Sequence, residues 1–370
     1  MHLSTKVEQL TNPFLRLNAA GLDISDVSVK YFVFDPKETR GSHRIAAFGE
    51  FAVPEGLIVN GEIKKEDELV QVLSAWRAQE REIPRSTFFD VSLPEEKSFL
   101  RIVQLPNLKE EDVRQALCWE IEANIPFAFE DLSYDYEVIA QKEPQDHLDI
   151  MVTAFPKVLI DAYVRVLHRA GLPLVALGLE SQAIVRAVVP DLCENSPRII
   201  ADIGRTRTSF IVCVGGAILF TTTIELGGQT LESHLARAFQ ISQEEAHLMK
   251  IQVGLNRKER NGEVFDALLP AMAVLGDELG KVVDYYHHYA AHMHGAPEAI
   301  ESILLVGGDA NLPGIETYLA GALHLPVRLA DPFTSIIPKN TFVIPPLLKN
   351  EALSFATAIG LALWGIRNDS

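Results

Sequence analysis

Cysteine is scarce in these 370 residues: Cys118, Cys193 and Cys213 stand far apart in apolar surroundings. An odd, scattered set supports neither a disulfide framework nor a zinc cluster and reads as core thiols kept reduced. Basic residues are also in short supply, 33 against 50 acidic ones, for a net charge of -17, and no five of them run together. That balance repels phosphate backbones and anionic headgroups, so no nucleic-acid partner is expected. Long apolar runs are missing. The longest, 352–366, contains Ser354 and Thr357 and falls short of the roughly 20 residues that cross a bilayer, so no direct membrane insertion is expected. The first ten residues lack the basic-then-apolar order of a signal peptide, which points to the cytoplasm. No Walker A, Gly-x-Ser-x-Gly or strand-linked Gly-x-Gly-x-x-Gly signature occurs, which removes support for hydrolase triads and Rossmann dehydrogenases.

What is present is ordinary globular composition, 48% apolar and 22% charged, enough for two or three domains with a sizeable core. A pattern recurs half a chain apart. Leu22-Asp23-Ile24-Ser25-Asp26-Val27-Ser28-Val29 aligns with Ala201-Asp202-Ile203-Gly204-Arg205-Thr206-Arg207-Thr208, an offset of 179 positions (23 to 202). Each unit is an apolar strand ending in Asp, a tight polar turn and a β-branched strand, which reads as a hairpin. A third strand follows each, near 44–51 and 217–226, and the repeat suggests an internal duplication.

Between the repeats, apolar spacing predicts a helix over 64–82 and a strand over 87–91. A small α/β block follows, with strands at 98–104, 133–140 and 147–155 and helices at 109–124 and 156–170. In its last helix Val158, Leu159, Ala162, Tyr163, Val166, Leu167 and Ala170 form one stripe, expected to pack on the block's own sheet, and Gly171 is the expected C-cap. Later helices are expected at 229–239, 242–253, 275–293, from 312 and from 352, with a strand at 302–306. Strand and helix alternate, so the class is α/β. His288 and His292 have the i, i+4 spacing of a metal pair but no third ligand accompanies them.

Asp23 with Lys30, the segment Asp202-Ile203-Gly204 with Thr206 and Thr208, and Val306-Gly307-Gly308-Asp309-Ala310 resemble the two phosphate motifs and the adenosine motif of the actin-like ATPase superfamily. Within it the chain is similar to the PilM family of type IV pilus assembly. That similarity draws on 116–127 (ALCWEIEANIPF), 242–250, 304–313, Asp331-Pro332-Phe333 and 358–363. The resemblance implies a duplicated, ribonuclease-H-like two-lobed actin-like fold. Residues 1–92, 172–196 and 340–370 would form the first lobe, 93–171 an inserted α/β subdomain and 197–339 the second lobe. It also implies ATP and magnesium as cofactors. The partner would be the cytoplasmic N-terminal tail of a PilN-like bitopic membrane protein, alongside other pilus platform proteins, and the location peripheral to the inner membrane through that partner.

Hairpin turns offer backbone N–H groups to phosphate, and an Asp at a strand end can hold magnesium through water. Asp23, Ser25, Asp26, Ser28, Lys30, Asp202, Gly204, Arg205, Thr206, Gly228, Lys250, Gly307, Gly308 and Asp309 are therefore the expected nucleotide-site residues, with Asp23 and Asp202 toward the metal. Glu180 stands where the superfamily places the residue that orients water, with slow hydrolysis or none expected; helix-dipole stabilisation explains it equally well. Ser25-Asp26 departs from the family's usual glycine, so Asp26 either points away from phosphate or helps hold magnesium. Arg205 and Arg207 face either phosphate or solvent. Trp119, Ile125 and Phe127 are the expected partner-binding residues, with Ile121 in the core. The alternatives are an FtsA-like cell-division protein, disfavoured by the absence of a basic C-terminal amphipathic helix, a sugar-kinase-type enzyme, and a nucleotide-free pseudo-ATPase scaffold.

Overall fold

The structure, a computed structural model, describes residues 19–35, 44–139, 146–189, 196–294, 298–337 and 345–367. Its first sheet is built from β1 (Ala19–Ile24), β2 (Ser28–Phe34), β3 (Ile45–Ala52), β6 (Phe88–Leu93) and β10 (Leu174–Leu179), in the order β3-β2-β1-β6-β10. The second uses β11 (Pro197–Ile203), β12 (Thr208–Val214), β13 (Ala217–Ile224), β14 (Ser302–Val306) and β15 (Val327–Leu329), in the order β13-β12-β11-β14-β15. Both sheets run antiparallel, antiparallel, parallel, parallel in that order. The repeat seen in sequence is thus a repeat of whole sheet topology. β1 and β11 are central and nearly continuous in apolar residues because both of their faces are covered.

Between the sheets lies α10 (Ala356–Arg367), whose small residues allow close approach. Gly21 of β1 faces the Ala358 carbonyl, and Gly360 faces the Ala183 carbonyl of α4 (Glu180–Val188), where a Cβ would collide. The longest apolar run is therefore a buried wedge. The larger core joins the second sheet to α4 and α10 and reaches Phe32 and Phe34 of the first.

The inserted block has its own sheet, β7 (Phe99–Pro106), β9 (His147–Pro156) and β8 (Leu132–Val138) in that order, covered by α2 (Glu110–Asn124). Val113, Leu117, Ile121 and Ile125, four apart, pack with Leu105, Leu132, Ile150 and Val152, as one helix face must. The following helix, α3 (Lys157–Arg169), corrects an expectation. Leu159, Tyr163, Val166, Leu167 and Ala170 pack in the core under the first sheet, beside Leu69 and Leu73 of α1 (Glu66–Gln79), not on the block's own sheet. Arg165–Glu66 and Arg169–Asp67 ion pairs bind the two helices, while Val158 of the expected stripe is 79% exposed. Gly171 ends α3 with φ +73, as a C-cap requires.

The long helix α7 (Glu263–His294) starts before the expected 275 and runs through Pro270. Pro270 is its eighth residue, past the four N–H groups that lack helical partners, so it has no N–H to give the Asp266 carbonyl one turn back. Cys213 is buried and its thiol is pushed up to about 12 by that burial. Cys118 is only half-buried, with its Sγ on the Arg114 carbonyl, and Cys193 lies outside the described residues. No described helix is long and apolar enough to cross a membrane.

Candidate functional site

The two hairpin turns repeat down to one hydrogen bond. Ser25 N–H donates to Ser28 O and Gly204 N–H to Arg207 O, both at 2.9 Å. In the first turn Ser25 Oγ also donates to Ser28 O and accepts Ser28 N–H. A serine serves where the family has glycine because Ser25 does not adopt positive φ. Asp26 points away from the strand ends: its carboxylate accepts the N–H groups of Asn60 and Gly61, each at 2.9 Å, at the tip of hairpin β4 (Ile58–Val59) and β5 (Glu62–Ile63). It also takes the Arg207 guanidinium of the second turn at 2.6 Å.

Asp23 and Asp202 end their strands as half-buried residues, and Glu180 begins α4 beside them. Burial raises the pKa of Asp23, against which Lys30 and the Ser92 hydroxyl at 2.9 Å work. Burial and the Asp23 charge push Asp202 up to about 7. Glu180 is driven well above the usual carboxylate range by burial, then by Asp23, Asp202 and Glu95. Mutually repelling acids at the ends of equivalent strands form a site short of positive charge. Lys30, opposite Asp23 in the ladder, is held by Ser28 Oγ at 2.9 Å and Glu50 at 3.1 Å. Ser28 itself is buried.

No cluster of three or more metal-ligating side chains occurs among the described residues. A hard cation would thus be held by Asp23, Asp202, water and phosphate oxygens, a donor set that suits magnesium with a polyphosphate. Of the expected His288–His292 pair, the His292 side chain lies outside the described residues.

On the expected adenosine side, Gly307 takes φ +90, and a Cβ there would meet Ile203 O and the Asp202 carboxylate. The Asp309 carboxylate lies against Gly228, the first residue of α5 (Gly228–Phe239). Gly228 and Gln229 N–H groups donate to Gly204 O and Arg205 O, so the second turn caps α5. Lys250 of α6 (Gln243–Gln252) is buried with its ammonium on Glu232 at 2.7 Å and on Asp309, so it is already paired. Arg205 is exposed, its side chain 41% accessible, while its guanidinium is held by an acid. It grips Glu232 through two bonds of 2.9 and 2.8 Å. Burial alone would raise the Glu232 pKa, but Arg205, Lys250 and His247 bring it down to about 2. Thr206 lines a polar cavity of about 350 Å³ with Gln229, Thr230, Ser233, His234 and Arg237. Gly308 opens the short turn Gly308–Asn311 and is exposed.

The structure separates the expected partner residues. Trp119 is 67% exposed and Phe127 is 44% exposed with its ring edge-on to Phe99 at 5.6 Å. Ile125 is buried with Ile121 in the insertion core, so it offers no surface contact. Ser92, Glu95, Glu96 and Glu232 join the site without a local sequence signal.

The type IV pilus assembly protein PilM family model matches residues 21–366. A solved PilM-PilN type IV pilus biogenesis complex superposes with a TM-score of 0.77 at 23% identity, covering 95% of this chain and 100% of that one. EutJ, an ethanolamine utilization protein from Carboxydothermus hydrogenoformans, gives 0.55 at 18% identity (96% and 93% covered). MreB5 of Spiroplasma citri bound to ADP gives 0.56 at 13% (95% and 97%). Cell division protein FtsA of Bacillus subtilis is 23% identical over 190 residues, 48% of this chain, and the match spans only 43% of FtsA's length. The fold of repeated five-stranded sheets is the actin-like one, and the chain belongs to the PilM family of type IV pilus assembly proteins.

Proposed function

We propose that the protein is an ATP-binding, actin-like scaffold of the pilus assembly platform. It would hold the cytoplasmic tail of a PilN-like bitopic membrane protein and through it sit at the inner membrane. The observation that carries the nucleotide part is the meeting of Asp23 and Asp202, at the ends of the equivalent strands β1 and β11, with Glu180 at the start of α4; burial raises all three pKa values, and the Asp23 charge adds to the rise at Asp202 and Glu180. Asp23 and Asp202 would hold the metal through water, and the two turns would bracket the phosphates. Glu180, when ionised, would orient a water for slow turnover. The MreB5 neighbour solved with ADP supports a nucleotide on this fold. The PilM-PilN complex supports the partner, and exposed Trp119 and Phe127 supply apolar anchors on the insertion.

A calorimetric titration tests the nucleotide part. ATP with magnesium is expected to bind at least about tenfold tighter than AMP or metal-free ATP, one charge-assisted contact being worth about 1.4 kcal/mol or more. Equal affinities would remove the phosphate clamp. A second reading, a scaffold that binds no nucleotide, draws on the Lys250–Glu232–Asp309 network, which closes on itself. Absence of any heat with ATP would favour it.

A further inference from the structure

Arg207 is shared by three parts of the fold. It belongs to the second-lobe turn, yet its guanidinium donates to Asp26 Oδ2 in the first-lobe turn at 2.6 Å. It also pairs with Glu96. Glu96 lies in the 3-10 turn Glu95–Lys97, the hinge that leads from β6 into the insertion. That hinge is tied down on both sides. Glu95 accepts the Ser181 N–H at 3.1 Å and Thr221 of β13 hydrogen-bonds it, while Lys97 pairs with Glu62 at 2.5 Å. The side chains of Arg207, Asp26 and Glu96 are only 20, 14 and 18% exposed, so this is not a solvated surface pair of negligible weight.

The charges are unequal: one guanidinium serves two carboxylates. The neighbouring Arg205 cannot relieve them, because Glu232 holds both of its terminal nitrogens. A polyphosphate entering between the two turns brings further oxyanions to the same guanidinium, whose planar fork suits phosphate as well as carboxylate.

We propose that Arg207 is a latch between the second lobe and the insertion hinge, and that the phosphates of a bound nucleoside triphosphate compete with Glu96 and Asp26 for it. This rests on the nucleotide reading above. Nucleotide then frees the hinge at Glu96, and the insertion, which carries Trp119 and Phe127, gains freedom to reorient. Occupancy of the cleft is thereby coupled to the partner-binding face, and the partner's tail changes nucleotide affinity by the same factor.

The test is a double-mutant cycle on the full chain. ATP with magnesium is titrated calorimetrically into wild type, Glu96→Gln, Arg207→Gln and the double variant. Glu96→Gln is expected to tighten ATP about three- to tenfold, within the lower half of the coupling measured between contacting residues. It should do nothing in the Arg207→Gln background and nothing for AMP. Equal tightening in both backgrounds would reduce the effect to removal of a nearby charge, and no tightening at all would also overturn the latch. Melting of the four apo proteins reads the latch without nucleotide: non-additive losses are expected, and additive ones overturn it. If no variant binds ATP, the nucleotide reading falls and the competition with it, while the apo cycle still reports the ion pair. Hydrogen exchange over 94–98 provides a check that needs no Glu96 variant. It should rise when ATP is added to wild type and be raised already in Arg207→Gln; exchange indifferent to both sinks the proposal.

Discussion

A single carboxylate at a strand end serves poorly as a structural group and well as a ligand, and Asp202 illustrates the conflict. Its neighbours Asp23, Glu95 and Glu180 are acidic, so ionising it costs stability in the free protein. Asp202→Asn is expected to leave the apo melting temperature unchanged or raise it, and to abolish the shift that ATP and magnesium produce. In wild type that shift amounts to about 2.7 kcal/mol at a hundredfold excess over Kd; an intact shift in the variant would contradict the metal role. Glu232 behaves oppositely. Its pKa falls from 4.5 to about 2 on folding, so it contributes stability above the unfolded value that is lost as pH falls through the folded one. Urea unfolding from pH 7 to pH 3 should show this acid loss, and Glu232→Gln should flatten it while costing about 1–3 kcal/mol at neutral pH, because buried Lys250 is left with Asp309 alone as its ionised partner. Asp23 and Asp202 are legible in sequence because they recur in matched patterns. Glu232 is not, because a glutamate on an amphipathic helix looks the same whether it meets water or an arginine, a lysine and a histidine.

The elements themselves were largely readable, since amphipathic spacing is a local property. The helix at 110–124 follows from its apolar spacing, but which face meets the sheet does not. Packing selects Val113, Leu117, Ile121 and Ile125 and leaves Trp119 outside. Ile125→Ala is therefore expected to cost about 2–4 kcal/mol without changing the affinity of the folded fraction for a synthetic partner tail. Trp119→Ala should leave the melting temperature nearly unchanged and weaken the tail about tenfold, as an exposed aromatic anchor does. Phe127→Ala should do some of each, because its ring rests on Phe99. Thermal melting paired with tail titration separates the three. The stripe at 157–169 shows the limit: its periodicity is unmistakable, but it packs on α1 in the core of the first sheet, and nothing in the period names the surface it will cover.

At the scale of the whole molecule, two sheets of identical topology are held against a wedge of small residues in α10. Gly360→Ala would drive a Cβ into the Ala183 carbonyl and is expected to cost about 1–3 kcal/mol or more. Gly321→Ala meets nothing within 4 Å, sits inside α8 (Ile315–Leu323) and should stabilise by up to about 1 kcal/mol. Opposite shifts in melting temperature are the expected pair of results. The sequence by itself determined the α/β class, the duplication and the two strand-end aspartates, because strands, turns and repeats are written in short-range patterns. Only the tertiary structure decided that Asp26 meets Arg207, 181 positions away, that Lys250 is already paired and that Glu96 meets Arg207 and Glu95 meets the Ser181 N–H. Those outcomes depend on which charges meet when distant segments fold together, and no local period encodes such a meeting.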